Sequence, residues 1–392
     1  MPQSYQSRVE LEEIFLTQNN IMSCQASKSN IRIVQDSLLA SFLMTKGKVL
    51  IPEQTFQNIC MKGDGWTIEY IQKKIQHIRK VLQQLGKRTQ AFTGKGLFSM
   101  LLPDTLIYSK KNNADLNEPE VKIYRGVLYE GAINKDNLGS GHSSLITILH
   151  KEYGKKVAYD FINNVQFISD TWLLTRGFSV NIGDCIATKE NEIRNVTMKC
   201  ILEAKAVEEQ TQHSGIRETR VNSALSKAKD IGMRLAKEAL SKDNNFIATV
   251  TSGSKGDYFN IAQISGLLAQ QTVSGQRIQP VLNKGRRTLP HYDMEIKDDK
   301  IRYESQGFIS HSFIHGLNPK EFFFHAMSAR EGITNKLVFV TSGLKRVKPL
   351  SPVKHWAKYL DAGNSLESKL LLFALDHRRW SRRIRNNREE HD

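Results

Sequence analysis

The chain has 392 residues, 40% of them hydrophobic and 24% charged, a composition that excludes a largely disordered protein. Its 56 Lys and Arg exceed its 40 Asp and Glu, and the formal charge of +16 indicates an acidic partner. Nucleic acid is the first candidate and a membrane surface the second. The alternative is a solvated basic surface, or one piece of a larger complex whose other parts carry the acidic residues.

The cysteines and the N-terminal sequence indicate the cellular compartment of the protein. Cys24, Cys60, Cys185 and Cys200 form no CxxC pair and lie beside no histidine pair at zinc spacing, so the sequence indicates no zinc site. Few cysteines and no signal peptide indicate reduced thiols and an intracellular location. No window of 18 apolar residues occurs, so we expect no membrane-spanning segment and no membrane partner.

Helical patterns dominate the N-terminal part. Residues 33–44 predict an apolar-rich helix. The next helix is amphipathic, with Thr67 as its N-cap, Gly86 as its stop, and one apolar stripe at Ile68, Ile71, Ile75, Ile78, Leu82 and Leu85. Its opposite face carries Lys73, Lys74, Arg79 and Lys80. We interpret this basic face as solvated, with phosphate contact as the alternative.

Farther along, the pattern alternates between loops, strands and helices. It predicts, in order, a loop at 109–120, a strand at 121–129, a turn at 139–144 leading into a helix, a helix at 155–176, a turn and short strand at 177–187, a long helix at about 200–242 and a strand at 246–250.

Two glycine-lysine stretches and three histidines fit no catalytic motif. Residues 93–96 (TGKG) and 252–256 (SGSKG) lack the spacing of a phosphate-binding loop, so from spacing alone each predicts a turn. His311, His315 and His325 show no spacing that builds a metal or nucleophile site.

Linked motifs between 252 and 332 make the sequence recognisable. They are SGSKGDYFNIAQI, AQQTVSGQRI, RRTLPHY and GFISHSFIHGLNPKEFFFHAMSAREG. In this order and spacing they resemble the largest subunit of multisubunit DNA-directed RNA polymerases, the class that includes bacterial β′. Upstream stretches at 2–14, 33–47, 93–103, 138–146 and 177–187 resemble the same family.

The resemblance implies a helix-rich α+β fold and a division of the chain. It implies a pore domain at 1–165, a funnel domain with the following cleft segment at 166–318, and the start of a truncated bridge helix at 319–332. Residues 333–392 form a tail without resemblance, in which Pro349 and Pro352 are expected to break any helix.

The chain departs from the family at several positions. Ser29 and Arg32 stand where the family usually has Pro and Gly, and Ala269 replaces a Gly, which we interpret as a mild change. Ser328 and Ala329 replace a Gly-Gly pair. Our hypothesis for this divergence is a fast-evolving lineage such as a large DNA virus, which would place the protein in the virion and host cytoplasm rather than in a nucleus or cytoplasm of its own.

The resemblance also implies where catalysis lies. In the family a D-F-D-G-D loop just before the segment at 2–14 holds Mg²⁺, and no D-x-D-G-D occurs in these 392 residues. The implied activity is therefore nucleotidyl transfer by a multisubunit complex, with no catalytic residue and no metal ligand in this chain. We expect the isolated chain to be inactive.

The residues implied to line the nucleotide channel fall in the funnel block. Lys255 would reach toward the incoming triphosphate, as a compact point charge suited to phosphate. The other implied channel residues are Ser254, Asn260, Gln263, Gln270, Gln271, Arg286 and Arg287, for several of which a purely structural role is the alternative. The implied bridge-helix residues are Phe324, His325, Ala326, Arg330 and Glu331.

Two functions follow from these observations. The first is a part of the polymerase, contributing the channel by which nucleotides reach the active site and the bridge helix. Its partners would be the second-largest and other subunits, DNA template, RNA, nucleoside triphosphates and a transcript-cleavage factor. The second is a non-catalytic remnant or nucleic-acid-binding protein from a truncated or frameshifted polymerase gene.

Overall fold

The computed structural model describes residues 2–86, 91–112, 120–186, 190–240 and 243–346, without the side chains of 190, 193, 194, 196, 235–237, 239 and 336–346. Helices predominate. They are α1 Tyr5–Glu10, α2 Gln35–Thr45, α3 Glu53–Cys60, α4 Ile68–Gln84, α5 Gly94–Ser99, α6 Lys135–Leu138, α7 Leu145–Tyr153, α8 Lys155–Arg176, α9 Glu190–Gln210, α10 Ser214–Ala239, α11 Asn245–Ser252, α12 Tyr258–Ile261, α13 Asp299–Ser305 and α14 Pro319–Arg346.

The described strands are short, and the fold is a helix-rich α+β arrangement. β1 Tyr108–Lys111, β2 Glu120–Tyr124 and β3 Val127–Glu130 form an antiparallel sheet in the order β1-β2-β3. Two two-stranded sheets pair β4 Ala269–Gln270 with β7 Phe308–Ile309, and β5 Thr272–Val273 with β6 Gln276–Arg277. In the described part, no helix is long and apolar enough to span a bilayer.

The largest core is formed by residues between 21 and 172 together with Ala248 of α11, and it joins α2, α3, α4, α5, α7 and α8 to the β1–β3 sheet. The helix predicted at 33–44 is confirmed as α2, and the helix at 155–176 as α8. In β2 the burial alternates, with Val121 and Ile123 facing the core. A two-residue period places every second side chain on the same face, so the sheet is anchored through these two residues.

Helix α4 confirms the predicted amphipathic helix, with one correction. Thr67 Oγ1 accepts a hydrogen bond from the Tyr70 N–H, and Gly86 follows the last turn with φ +66°. Lys74, however, is buried rather than on the solvated face: its ammonium binds the Leu102 carbonyl and the Asp104 carboxylate. Burial lowers the pKa of Lys74, and the Asp104 carboxylate opposes that shift.

The prediction of one strand at 121–129 is wrong, because the chain turns back at Arg125 and Gly126. Both residues have positive φ (+46° and +72°), and a Cβ on Gly126 would lie 2.3 Å from the Pro103 carbonyl oxygen. The loop predicted at 109–120 is also partly strand, since β1 extends to Lys111; residues 113–119 lie outside the described part.

Two further predictions are wrong in the segment 177–252. Residues 177–186 contain a 3₁₀ turn at Ile182–Cys185 and no strand among their described positions, and 246–250 lies within helix α11. Asn244 begins that helix because its Oδ1 accepts the N–H groups of Phe246 and Ile247.

The single long helix predicted at about 200–242 is two helices. They are α9 and α10, which are joined through residues 211–213 and bury a shared core of Cys200, Ile201, Ala204, Val221, Ala224, Leu225 and Ala228. A helical hairpin buries an apolar stripe of each helix against the other, whereas one continuous helix would leave both exposed.

Helix α14 begins at Pro319, as the sequence predicts, and does not stop near Gly332. Asn318 and Glu321 form a reciprocal cap: the Glu321 N–H donates to Asn318 Oδ1 (2.8 Å), and the Asn318 N–H donates to Glu321 Oε2 (3.0 Å). The chain divides into units of 1–332 and 333–392. Of the second unit, 333–346 continue as helix and 347–392, with Pro349 and Pro352, lie outside the described residues.

Candidate functional site

The loop carrying Lys255 follows α11 directly. Gly253 ends that helix in the left-handed conformation (φ +75°), and its N–H donates to the Val250 carbonyl. Ser254 is held twice, because its N–H and its Oγ both donate to the Thr249 carbonyl, at 3.2 and 3.1 Å. The backbone before Lys255 is therefore braced by hydrogen bonds although the loop lies at the surface.

The same loop lies against helix α6. A Cβ on Gly253 would come within 2.6 Å of Lys135 Cβ, so only glycine fits this contact. Lys135 and Lys255 are both exposed, and neither ammonium makes an ion pair within the described ranges. Two lysines without an ion pair in the described part therefore flank one glycine turn, an arrangement that attracts anions.

Asn260 and Gln263 have local structural roles. The Asn260 N–H donates to Asp257 Oδ1 (3.0 Å), and Asn260 Oδ1 accepts the Asp257 N–H (3.1 Å), which closes a capping box on α12. Gln263 is half-buried in a π turn at Ala262–Gly266, and its carbonyl accepts the Phe313 N–H. Both the backbone N–H and the side-chain oxygen of Asn260 thus serve the cap.

Gln271 and His325, predicted separately as channel and bridge-helix residues, lie in contact. Gln271 is buried, its Nε2 donates to the Ala269 carbonyl (3.3 Å), and its Oε1 lies 3.3 Å from His325 Nδ1. Burial lowers the pKa of His325. Gln270 Nε2 donates to the carbonyls of Gln271 and Gln306, so its side-chain amide braces the backbone of this segment.

The replacement of a family glycine by Ala269 is not the mild change that we expected. Ala269 is buried and has φ +58°, in the left-handed region that a Cβ disfavours by about 1–2 kcal/mol. Ala269 is paired with Ile309 in the β4–β7 sheet, and this pairing holds the residue in its unfavourable backbone conformation.

Helix α14 presents two distinct faces. Phe324 points inward, fully buried, with its ring stacked on Tyr292 at a centroid distance of 6.3 Å. Ala326 and Arg330 lie on the exposed side. Glu331 turns back toward the fold, where its Oε1 accepts hydrogen bonds from the N–H (2.6 Å) and Oγ (3.0 Å) of Ser274. The five predicted bridge-helix residues therefore do not share one surface.

Arg286 and Arg287 belong to a tight turn between Leu282 and Pro290. Arg286 is exposed, whereas Arg287 is half-buried and donates from Nη1 to the Pro290 carbonyl (3.1 Å). The Arg287 Nε is buried without a partner among the described residues. Only Arg286 is therefore fully open to an anionic ligand.

A buried ion pair that the sequence did not predict joins Arg277 of β6 to Glu218 of α10. Arg277 is buried and contacts Glu218 bidentately, with Nε–Oε1 at 2.9 Å and Nη2–Oε2 at 2.6 Å. Hydrogen bonding from Arg277 lowers the pKa of Glu218. The arginine lies within the AQQTVSGQRI motif, but its partner is 59 residues away, so spacing alone gave no indication of the pair.

The described residues do not provide a metal site. Within the ranges given above, no three His, Cys, Asp or Glu side chains converge, so no group of these residues fits Mg²⁺ or zinc. His311 Nδ1 contacts the buried Glu321, and His315 Nδ1 contacts Ser312 Oγ, both at hydrogen-bond distance. Both of these histidines are thus engaged locally.

Two consecutive stretches of the chain match domains of known proteins. Residues 20–185 match the family described as RNA polymerase Rpb1, domain 3, and residues 194–309 match RNA polymerase Rpb1, domain 4. The chain belongs to the RNA polymerase largest-subunit family. The two matches are consecutive domains: the first ends at Cys185, the last residue of the 3₁₀ turn, and the second begins at residue 194, within the first turns of α9.

Two viral relatives extend the similarity beyond the matched domains. A DNA-directed RNA polymerase II subunit RPB1 homolog of invertebrate iridescent virus 6 is 43% identical over 356 residues, which cover 85% of this chain and 34% of that protein. The DNA-directed RNA polymerase 008R of frog virus 3 (isolate Goorha) is 30% identical over 358 residues, covering 88% of this chain and 25% of that protein. The chain thus spans about a third of the length of the first relative and a quarter of the length of the second. Their viral origin supports the hypothesis of a large DNA virus.

Proposed function

We propose that this chain forms the nucleotide channel and the first part of the bridge helix of a DNA-directed RNA polymerase. Pore residues 1–165 and funnel residues 166–318 would line the channel, and 319–332 would begin the bridge. The observation that carries the proposal is the Lys255 loop: a backbone braced at Ser254 presents an exposed ammonium without an ion pair in the described part. Such a charge is free to meet a triphosphate.

The chemistry of this chain would be binding and orientation. Lys255 would attract the incoming triphosphate, with Arg286 as a second exposed cation. Because no described group fits a metal ion, Mg²⁺ and the transfer step would belong to other parts of the complex. The second-largest subunit, template DNA and RNA would be partners, in a virion or host cytoplasm, and a cleavage factor would share the channel.

Kinetics of the assembled polymerase test the role of Lys255. Lys255→Ala should raise the KM for nucleoside triphosphates about twofold to fivefold, the range of an exposed charge pair, and leave kcat nearly unchanged. The matched control is Lys297→Ala, because Lys297 is also exposed and has no ion pair among the described residues. Equal KM values for both variants, at low and high salt, would contradict the proposal.

Assembly tests membership in the complex separately. We expect the chain to co-purify with a second-largest polymerase subunit expressed beside it. A chain that remains monomeric with every polymerase partner, but binds duplex DNA with a steep salt dependence, would instead support the nucleic-acid-binding alternative.

A further inference from the structure

Three side chains of α14 contact one short segment in register. His325 contacts Gln271, Ser328 Oγ donates to the Thr272 carbonyl (3.0 Å), and Glu331 accepts from Ser274. Residues 325 to 331 rise about 9 Å along a helix, and 271 to 274 span about 10 Å of extended chain. The helix and the segment therefore run side by side over their whole length of contact.

The last of these contacts supports a turn that is unfavourable for its sequence. Ser274 and Gly275 connect β5 to β6 and both have positive φ, +53° and +74°. Such two-residue turns favour Asn-Gly, because a serine in this conformation is disfavoured. Glu331 binds both the N–H and the hydroxyl of Ser274, so α14 supplies the stabilisation that the turn itself lacks.

The other strand of the same hairpin is held by a different helix. Arg277, on β6, makes its bidentate pair with Glu218 of α10 and also donates to Gln306. The pair is the kind that fixes orientation, because two parallel hydrogen bonds define the guanidinium plane. The hairpin thus has α14 at its turn and α10 at its return strand.

We infer that the β5–β6 hairpin is a mechanical connector between α10 and α14, with Glu331 and Glu218 as the two attachment points. A displacement of α14 pulls the Ser274 turn, the turn moves β6, and β6 carries Arg277 against α10. Rigid, hydrogen-bonded segments transmit displacement in this way, whereas a solvated loop absorbs it. This inference does not depend on the proposed nucleotide channel.

Hydrogen exchange on the full-length chain tests the connector. Glu331→Ala should make hairpin amides exchange about tenfold to a hundredfold faster, the effect of losing hydrogen bonds to a charged acceptor. Peptides around 214–225 of α10 should also exchange faster, by a smaller factor. Glu331→Gln retains an acceptor oxygen and should give an intermediate result.

The matched control is Glu152→Ala, which removes an exposed helical glutamate of α7 with no partner among the described residues. It should leave the hairpin and α10 unchanged. Glu218 lies on α10. The reciprocal variant Glu218→Gln should nevertheless accelerate amide exchange in the hairpin and in residues 325–331 of α14. If Glu331→Ala changes only α14, or if Glu218→Gln changes only α10, the hairpin is not a connector and the inference fails.

Discussion

Gly253 is the position at which a single methyl group tests the geometry of the Lys255 loop. Its φ of +75° disfavours any Cβ, and that Cβ would also lie 2.6 Å from Lys135 Cβ and 2.8 Å from Lys135 Cδ. Gly256, in the same loop, has φ +70° but its Cβ would meet no atom nearer than 3.9 Å. Gly141 has neither a positive φ nor any atom within 4 Å. Alanine at the three positions therefore separates backbone strain from steric conflict.

The expected costs follow from these distances. Gly256→Ala should lower the free energy of unfolding by about 1–2 kcal/mol, the cost of a left-handed alanine. Gly253→Ala adds an overpacking cost of about 1–3 kcal/mol, for a total of about 2–5 kcal/mol. Gly141→Ala should be neutral or stabilising by less than about 1 kcal/mol, because alanine restricts the unfolded chain.

Urea denaturation of the full-length variants, followed by circular dichroism, measures these differences in the free energy of unfolding. The comparison requires that the slope of the unfolding free energy against urea concentration is the same for each variant. The decisive comparison is between the two loop glycines. Equal losses for Gly253→Ala and Gly256→Ala would show that the loop does not lie against Lys135. If Gly256→Ala resembles Gly141→Ala, the left-handed conformation of the loop is refuted as well.

Two further predictions concern α14. Phe324→Ala should cost about 3–5 kcal/mol because the ring is fully buried, whereas Phe322→Ala, at a position 61% exposed, should cost less than about 0.5 kcal/mol in thermal unfolding. A similar loss for both would contradict the orientation of the helix. The pKa of His325 is lowered by burial from its ordinary value of 6.5, so its contribution to stability is present above that pH and lost as the pH falls through the lower folded value. His325→Gln should therefore reduce the decline in stability on acidification, and an unchanged pH profile in urea titrations would oppose this.

Sequence patterns predicted an element correctly where its buried apolar residues repeat at the spacing of that element. The stripe of α4 was predictable because the buried Ile71, Ile75 and Ile78 repeat at helical spacing. Lys74 was not, because its environment is created by Leu102 and Asp104 from a different part of the chain. A charged residue beside an apolar stripe is usually solvated, and only tertiary structure reveals the exceptions.

The segment 246–250 shows the opposite outcome. Its phenylalanine, isoleucine and valine favour strands, yet tertiary contacts bury Ala248, Thr249 and Ser252, a helical spacing. Asn244 and Gly253 cap the two ends of this helix, so the sequence did contain helix start and stop signals. The prediction of a strand gave more weight to the β propensity of the residues between them. In the site, the family motifs identified Gln271 and His325 individually, but no pattern places side chains 54 residues apart in contact.

The α9–α10 pair also determines an order of assembly during synthesis. Its helices are joined by residues 211–213, and contacts between neighbours in sequence form faster than distant ones. Its shared core, however, is completed by Leu267, Ala269, Tyr303 and Phe308. A growing chain therefore carries a helical hairpin with an uncovered apolar face while the residues up to 308 are being made, an interval in which that face is open to chaperones or to aggregation.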